Sequence, residues 1–294
     1  MYNGIINVYK ETGYTSFDVV ARLRGILGQK KIGHTGTLDP DATGVLPVAV
    51  GNATKLVDML TDKKKEYVAT FILGMTTDTQ DISGKVTDRS TVTCTDEKIR
   101  DVITSFTGDI KQIPPMYSAI KVGGRKLYEL AREGKEIERK PRPVTIYDIE
   151  ILSMDTCGED PNITIKVECS KGTYIRTLCH DIGQELGCGA VMSSLKRTAS
   201  GQFTIESAHT LDEIERLKQA GDIERLITPV DAFFADIPQV TVTGRELALV
   251  ENGNQIALTD HKEEKIRIYG QEFMAVYELV DPKRRIYKPW LMFA

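Results

Sequence analysis

Cysteine and histidine are few and scattered in this 294-residue chain. Cys94, Cys157, Cys169, Cys179 and Cys188 form no CxxC pair, and the last four are spaced by 12, 10 and 9 residues, which suits no zinc motif. An odd number of cysteines argues against a disulfide framework, so reduced, unligated thiols are expected. His34, His180, His209 and His261 are as dispersed, and no metal site is expected. Neither GxxxxGK(S/T) nor GxGxxG occurs, so nothing supports nucleotide binding through a phosphate loop. No apolar run reaches the length of a membrane span. The opening MYNGIINVYKETG lacks the basic-then-apolar order of a secretory leader, so the expected location is the cytoplasm. Positive charge is short too: 38 Lys and Arg against 42 Asp and Glu leave a net charge of −4, the opposite of most nucleic-acid binders.

What the chain lacks overall it has locally. Phosphate binding depends on charge within about 8 Å, the screening length at cellular salt. Residues 121–143 carry eight Lys or Arg against four Glu, a local +4. Lys63, Lys64 and Lys65 form a second cluster, and Lys283, Arg284, Arg285 and Lys288 a third. Each cluster alone reads equally well as a solvated face.

The pattern along the chain predicts a mixed α+β protein. A strand is expected over 5–9, then a helix capped by Ser16 with Val19, Val20, Leu23, Ile26 and Leu27 inward and Gly28 as its stop. Further strands are expected at Tyr67–Leu73, Val144–Leu152 and Ile163–Cys169. A helix opened by Thr95 or Asp96 presents Ile99, Val102, Ile103 and Phe106, a second runs over about 177–186, and a third is marked by Leu211, Ile214 and Leu217. Strands and helices do not alternate regularly, so a mixed or antiparallel sheet is favoured over a doubly wound one. Residues 114–143 look like an insertion holding one helix. From about 238, short β-rich pieces separated by Gly, Asn and Asp predict a small β-barrel-like domain. The expected division is therefore 1–234 and 235–294.

The segment of greatest interest is GHTGTLDPDATGVLPV, residues 33–48. Its glycines allow tight bends and close approach of a ligand to the main chain. Pro40 holds Asp39 extended and stiffens it. A carboxylate fixed on a rigid loop suits nucleophilic or general-base chemistry. On residue type alone, Asp39 and Asp41 suit Asx turns as well. Asp39, Asp41 and Asp81 form no recognised magnesium cluster.

This segment resembles the signature of the TruB family of tRNA pseudouridine synthases. Four further blocks agree in order and spacing: KEYVATFILGMTTDTQDISG (65–84), IPPMYSAIKVGGRKLYELAREG (113–134), CSKGTYIRTLCHDIGQELG (169–187) and LKRTASGQF (195–203). One departure is visible. The family's Lys-Pro turn appears as Lys10-Glu11, which puts the rigidity of that turn in question.

The resemblance implies a pseudouridine synthase catalytic domain followed by a PUA-type RNA-binding domain. The implied reaction isomerises uridine at position 55, in the T-loop of tRNA, with no cofactor. Asp39 is then the catalytic aspartate, Arg176 its cationic neighbour, and Tyr67 the ring that stacks on the base. An opposite charge within about 4–6 Å favours a carboxylate by about 1–3 pKa units. Tyr174 and Leu195 match other pocket residues. The base must be flipped out of a folded loop, at a cost of a few kcal/mol, and His34 is the residue placed to fill the vacated space. A core role for Tyr67, Tyr174 and Leu195, a loop hydrogen bond for His34 and a surface position for Arg176 are the plainer readings of each alone. Within the insertion, Arg125, Lys126, Arg139, Lys140 and Arg142 are the expected phosphate contacts. No membrane and no obligatory protein partner is implied, and a monomer suffices. The competing readings are a tRNA-binding or RNA-folding protein with little or no catalysis, and a guide-RNA-dependent synthase with the same aspartate loop.

Overall fold

The computed structural model describes all residues from Met1 to Ala294. A ten-stranded sheet forms its centre, and eight strands follow one path across it. From one edge they are Ile227–Thr228, Gly4–Lys10, Thr43–Val50, Ala190–Ser200, Lys65–Leu73, Asn162–Cys169, Arg142–Asp155 and Gly108–Gln112. The short strands Ile32–His34 and Phe203–Thr204 pair off this path. Every pairing in the sheet is antiparallel except one. Thr43–Val50 meets Ala190–Ser200 in parallel, and only through Lys196 opposite Thr43 and Arg197 opposite Gly44. The two halves of the sheet therefore part at this seam, immediately after the loop that carries Asp39.

Alternation of burial along Lys65–Leu73 and Asn162–Cys169 shows why these residues form central strands. Their inward residues Tyr67, Ala69, Phe71, Ile163, Ile165 and Val167 share a core with Ile99, Val102 and Ile103 of the helix Asp96–Ser105, and with Ile175, Leu178, Cys179 and Ile182 of the helix Ile175–Glu185. The expected mixed, largely antiparallel sheet with flanking helices is what forms.

The first helix, Ser16–Leu27, is capped by Thr15 and not by Ser16. Thr15 and Asp18 make a reciprocal capping box, which Ser16, with Val19 three residues on, cannot form. Ser16 is buried and used elsewhere, as described below. The Glu11 turn is tied down without proline: Gly13 takes φ 83°, its N–H donates to Pro40 O at 3.0 Å, and Lys10 Nζ donates to Glu11 O and Tyr14 O.

Residues 114–143 hold the single expected helix, Leu127–Arg132, beside a small hairpin of Lys121–Val122 and Arg125–Lys126. Arg142 already belongs to the central sheet, opposite Gln112, so that strand begins two residues earlier than expected. A second, five-stranded sheet runs in the order Gln239–Thr241, Lys265–Tyr269, Phe273–Asp281, Ile286–Met292, Ile256–Ala257. It packs on the first through a core shared by Val276 and Phe293 with Ile5, Val45, Phe203 and Phe234.

Candidate active site

Arg176 is where the chemistry converges. It lies in the first turn of Ile175–Glu185 and is only 6% exposed. A cation there opposes the helix dipole, so it needs compensation by negative groups. Its Nε lies 3.1 Å from Asp39 Oδ2 and its Nη1 lies 3.0 Å from Asp81 Oδ2. Nη1 also donates to Thr79 O at 3.3 Å, and Nη2 to Tyr117 O at 2.9 Å. One guanidinium thus ties together the Asp39 loop, the 78–83 turn and the start of the 114–143 insertion.

The structure brings Asp39 and Arg176 together as expected, but with a different electrostatic balance. Burial pushes the Asp39 carboxyl above the usual aspartate range, Arg176 pulls it down, Asp81 pushes it up again, and Lys10 pulls it down. The net direction is up, against the expectation that Arg176 alone would lower it. Asp81 is the reason Arg176 cannot devote itself to Asp39. The role of Asp81 was missed because the density of turn formers in TTDTQDISG accounts for an aspartate there without further purpose. Its carboxylate also accepts from Thr79 Oγ1 at 2.8 Å, Ser83 N at 3.1 Å and Ser83 Oγ at 2.5 Å. The turn itself is joined to the sheet, where Ile82 N donates to Met192 O at 2.9 Å.

Two further residues fix the Asp39 loop from below. Ser16 Oγ accepts from the Leu38 N–H at 2.9 Å, in the interior. Lys10, fully buried, donates through Nζ to Glu11 O at 3.0 Å, Tyr14 O at 2.7 Å and Pro40 O at 3.0 Å. Burial drops its ammonium to about 8, although Asp39 and Asp41 oppose that shift. Nothing in the pattern NVYKETG distinguishes such a lysine from a surface one. Lys65 is a second instance. Expected in a solvated cluster, it is instead buried, with Nζ donating to Lys63 O at 2.6 Å. Lys63 and Lys64 are exposed, and Lys64 lies 4.0 Å over the Tyr147 ring and pairs with Glu168.

Of the other expected pocket residues, Tyr67 and Tyr174 lie close enough to feel the Asp39 charge. Tyr67 is buried on Lys65–Leu73, directly across from Arg197, and burial raises its hydroxyl pKa. Tyr174 caps the Arg176 helix, and its backbone is held at both N–H and C=O by the Gln112 side chain. Leu195 is half-buried against the core of the larger sheet half. His34 ends the strand Ile32–His34 and accepts at Nδ1 from Gly36 N at 3.3 Å, the plainer of its two readings. Burial lowers its pKa, which keeps the ring neutral.

In the insertion, Arg125 is paired with Glu133, which also receives Lys135 at 3.0 Å. Arg139 donates to Pro114 O at 3.2 Å and pairs with Glu136 at 3.1 Å. Lys126 lies 5.4 Å from the Tyr128 ring centre. Lys140 and Arg142 are exposed and have no ion-pair partner.

This arrangement provides a partly open carboxylate, a buried cation holding it, and an aromatic hydroxyl at one seam of a split sheet. The same architecture occurs in solved structures. A Cbf5-Nop10-Gar1 complex matches 99% of this chain and 85% of that chain at 30% identity, with a TM-score of 0.70. An archaeal box H/ACA Nop10-Cbf5 complex matches 99% and 86% at 28% identity, with a TM-score of 0.68. The fold is therefore the pseudouridine synthase fold. The model described as "TruB family pseudouridylate synthase (N terminal domain)" matches residues 24–175, and the "tRNA pseudouridylate synthase B C-terminal domain" matches 176–235. The chain belongs to the TruB family. Among its relatives, the tRNA pseudouridine synthase B of Lachnoclostridium phytofermentans is 53% identical over 99% of each chain. That of Streptococcus pneumoniae is 45% identical over 99% of this chain and all of its own.

Proposed function

We propose that the chain isomerises uridine to pseudouridine at position 55 in the T-loop of tRNA, with Asp39 as the nucleophile. The observation that carries this reading is the Asp39 carboxylate, open to solvent on one side and held on the other by buried Arg176 at 3.1 Å. The Ser16 and Lys10 anchors pre-organise the loop, so little motion is needed to reach the reacting geometry. Attack by Asp39 on the base or its ribose lets the C1′–N1 bond break; the base turns, a C1′–C5 bond forms as the bond to Asp39 breaks, the carbon-five proton leaves and N1 takes up a proton. The reaction needs no electron or group donor.

In this reading Tyr67 stacks on the flipped base and assists removal of the carbon-five proton. Tyr174 and Leu195 shape the pocket, and neutral His34 fills the place the uridine leaves. Stacking on neighbouring bases contributes about 1–3 kcal/mol each. Lys140 and Arg142, free of ion pairs, are the foremost phosphate contacts, with Lys126, Arg125 and Arg139 beside them; such contacts position the RNA without reading bases. Residues 235–294 act as a PUA-type module on the acceptor end of the tRNA, with 1–234 as the catalytic domain. The chain works as a monomer in the cytoplasm and needs neither guide RNA nor protein partner.

The test is tritium release from carbon five of a labelled, unmodified tRNA transcript incubated with this chain alone. Release from the natural transcript, and none from an otherwise identical labelled transcript in which position 55 alone is cytidine, is the expected result. Tight binding without release would instead favour an RNA-binding or RNA-folding protein. Release only on addition of a guide RNA or a second protein would favour the guided type.

A further inference from the structure

Arg197 is a fully buried cation that the proposed chemistry leaves without a task. It stands on Ala190–Ser200 at the parallel seam, 1% exposed. Its Nε donates to Val45 O at 2.6 Å. Its Nη1 lies 3.5 Å from the point a Cβ on Gly36 would occupy, so the guanidinium sits directly under the Asp39 loop. Its Nη2 has neither a protein partner nor contact with solvent. Leaving a charged donor unpaired in the interior is costly, and a native fold retains such a group only for a reason.

The residue across from it supplies the reason. Arg197 and Tyr67 are directly opposed in the antiparallel pairing of their strands. Directly opposed residues project to the same face with Cβ atoms about 4.5–5.5 Å apart. Gly44 fixes the main chain of Arg197: at φ 107°, a Cβ there would come within 2.1 Å of the Arg197 carbonyl oxygen. The strand register and the Nε bond to Val45 O together hold the guanidinium near Tyr67, close enough for its charge to act on the ring hydroxyl.

We propose that Arg197 is a positioning residue for Tyr67, its free Nη2 donating to the Tyr67 hydroxyl oxygen when the target base is bound. With that lone pair occupied, the Tyr67 O–H is directed away from the sheet and toward the base. The inference rests on the reading of Tyr67 as a residue that faces the base. The local electrostatics agree, because the Arg197 charge opposes the upward push that burial exerts on Tyr67. The plainer alternative is that Arg197 only fastens the two strands through Val45 O.

A double-mutant cycle separates the two, because it measures coupling between neighbours and not the worth of either alone. Single-turnover tritium release from a carbon-five-labelled tRNA transcript is measured for wild type, Arg197→Gln, Tyr67→Phe and the double variant. Arg197→Gln is expected to slow turnover about tenfold or more with tRNA binding within about twofold. In the Tyr67→Phe background the same change is expected to cost less than about twofold. Equal losses in both backgrounds, or no loss in either, overturn the inference. Should Arg197→Gln fail to fold, Arg197→Lys replaces it. One ammonium cannot reach Val45 O and Tyr67 together, so a smaller but still coupled loss is expected, and an additive loss overturns the inference. A wild type that releases no tritium overturns the reading of the site itself and this inference with it. An active wild type with additive losses overturns this inference alone.

Discussion

At the scale of single residues, the site is a contest for one guanidinium. Arg176 is shared by Asp39 and Asp81, and burial leaves Asp39 above the usual aspartate range despite the pairing. If ionised Asp39 is the attacking group, the acid limb of kcat/KM lies at higher pH than an ordinary aspartate would place it. Asp81 contributes to that upward shift, so Asp81→Asn is expected to move the limb to lower pH. The same change removes one of the anchors of Arg176, and displacing a positioned charge is expected to lower kcat at neutral pH about tenfold to 100-fold. A pH–rate profile of the variant checks both. An acid limb that stays put while kcat falls would mean that Asp81 only holds the turn. The linkage to stability has its own sign. The Asp39 carboxyl binds its proton more readily in the folded than in the unfolded chain, so its contribution to stability falls as pH rises from the unfolded pKa through the folded one. Asp39 therefore contributes less to stability at neutral than at acid pH, while Asp81 still compensates Arg176 when Asp39 is neutral, so Asp39→Asn is expected to fold.

At the scale of elements, two adjacent hydroxyl residues divide the work at the start of Ser16–Leu27. Thr15 closes the capping box and Ser16 anchors Leu38 of the Asp39 loop. Thr15→Ala is expected to lower unfolding free energy by about 1 kcal/mol and leave kcat nearly unchanged. Ser16→Ala leaves the Leu38 N–H buried without a partner, which costs about 1–3 kcal/mol, and is expected to lower kcat as well because the loop loses its anchor. Denaturant titration and turnover measured on both variants separate the roles. The cap was legible in the Thr15-x-x-Asp18 spacing, since Ser16 has Val19 three residues on; the anchoring role of Ser16 was not, because it depends on the path of the Asp39 loop. Other elements were plain from their pattern. The helix Asp96–Ser105 is capped by Thr95, one of the two residues expected to open it, and has the expected inward face, since amphipathic period and cap are both local signals. Arg197, Lys10 and Lys65 were not, because a charged residue reads as exposed unless the partners that bury it are known. Asp39 and Arg176 came to notice through family-like blocks, whereas their meeting with Asp81 depends on three segments far apart in the chain.

At the scale of the whole molecule, the two sheets are not independent. Phe234 lies between them, with its ring centre 6.1 Å from Phe273, 5.9 Å from Phe293 and 6.1 Å from Trp290, in a core that also holds Ile5 and Val45. Ile5 and Val45 belong to the half of the central sheet that leads out of the Asp39 loop. Phe234→Ala is expected to cost about 3–5 kcal/mol. Thermal unfolding of the wild type is expected as a single transition for both sheets, with the variant splitting it so that Gln239–Met292 melts first. Two transitions already present in the wild type would contradict a shared core. That coupling holds the second sheet in a fixed relation to the seam beside the Asp39 loop. The central claim is that Asp39 performs the chemistry at that seam, and Asp39→Asn tests it most directly. The measurement is tritium release from a carbon-five-labelled tRNA transcript under single turnover, with tRNA affinity and thermal stability measured on the same preparation. The expected result is an Asp39→Asn chain that folds and binds tRNA as wild type does and releases no tritium. Release at a rate similar to wild type would contradict the account.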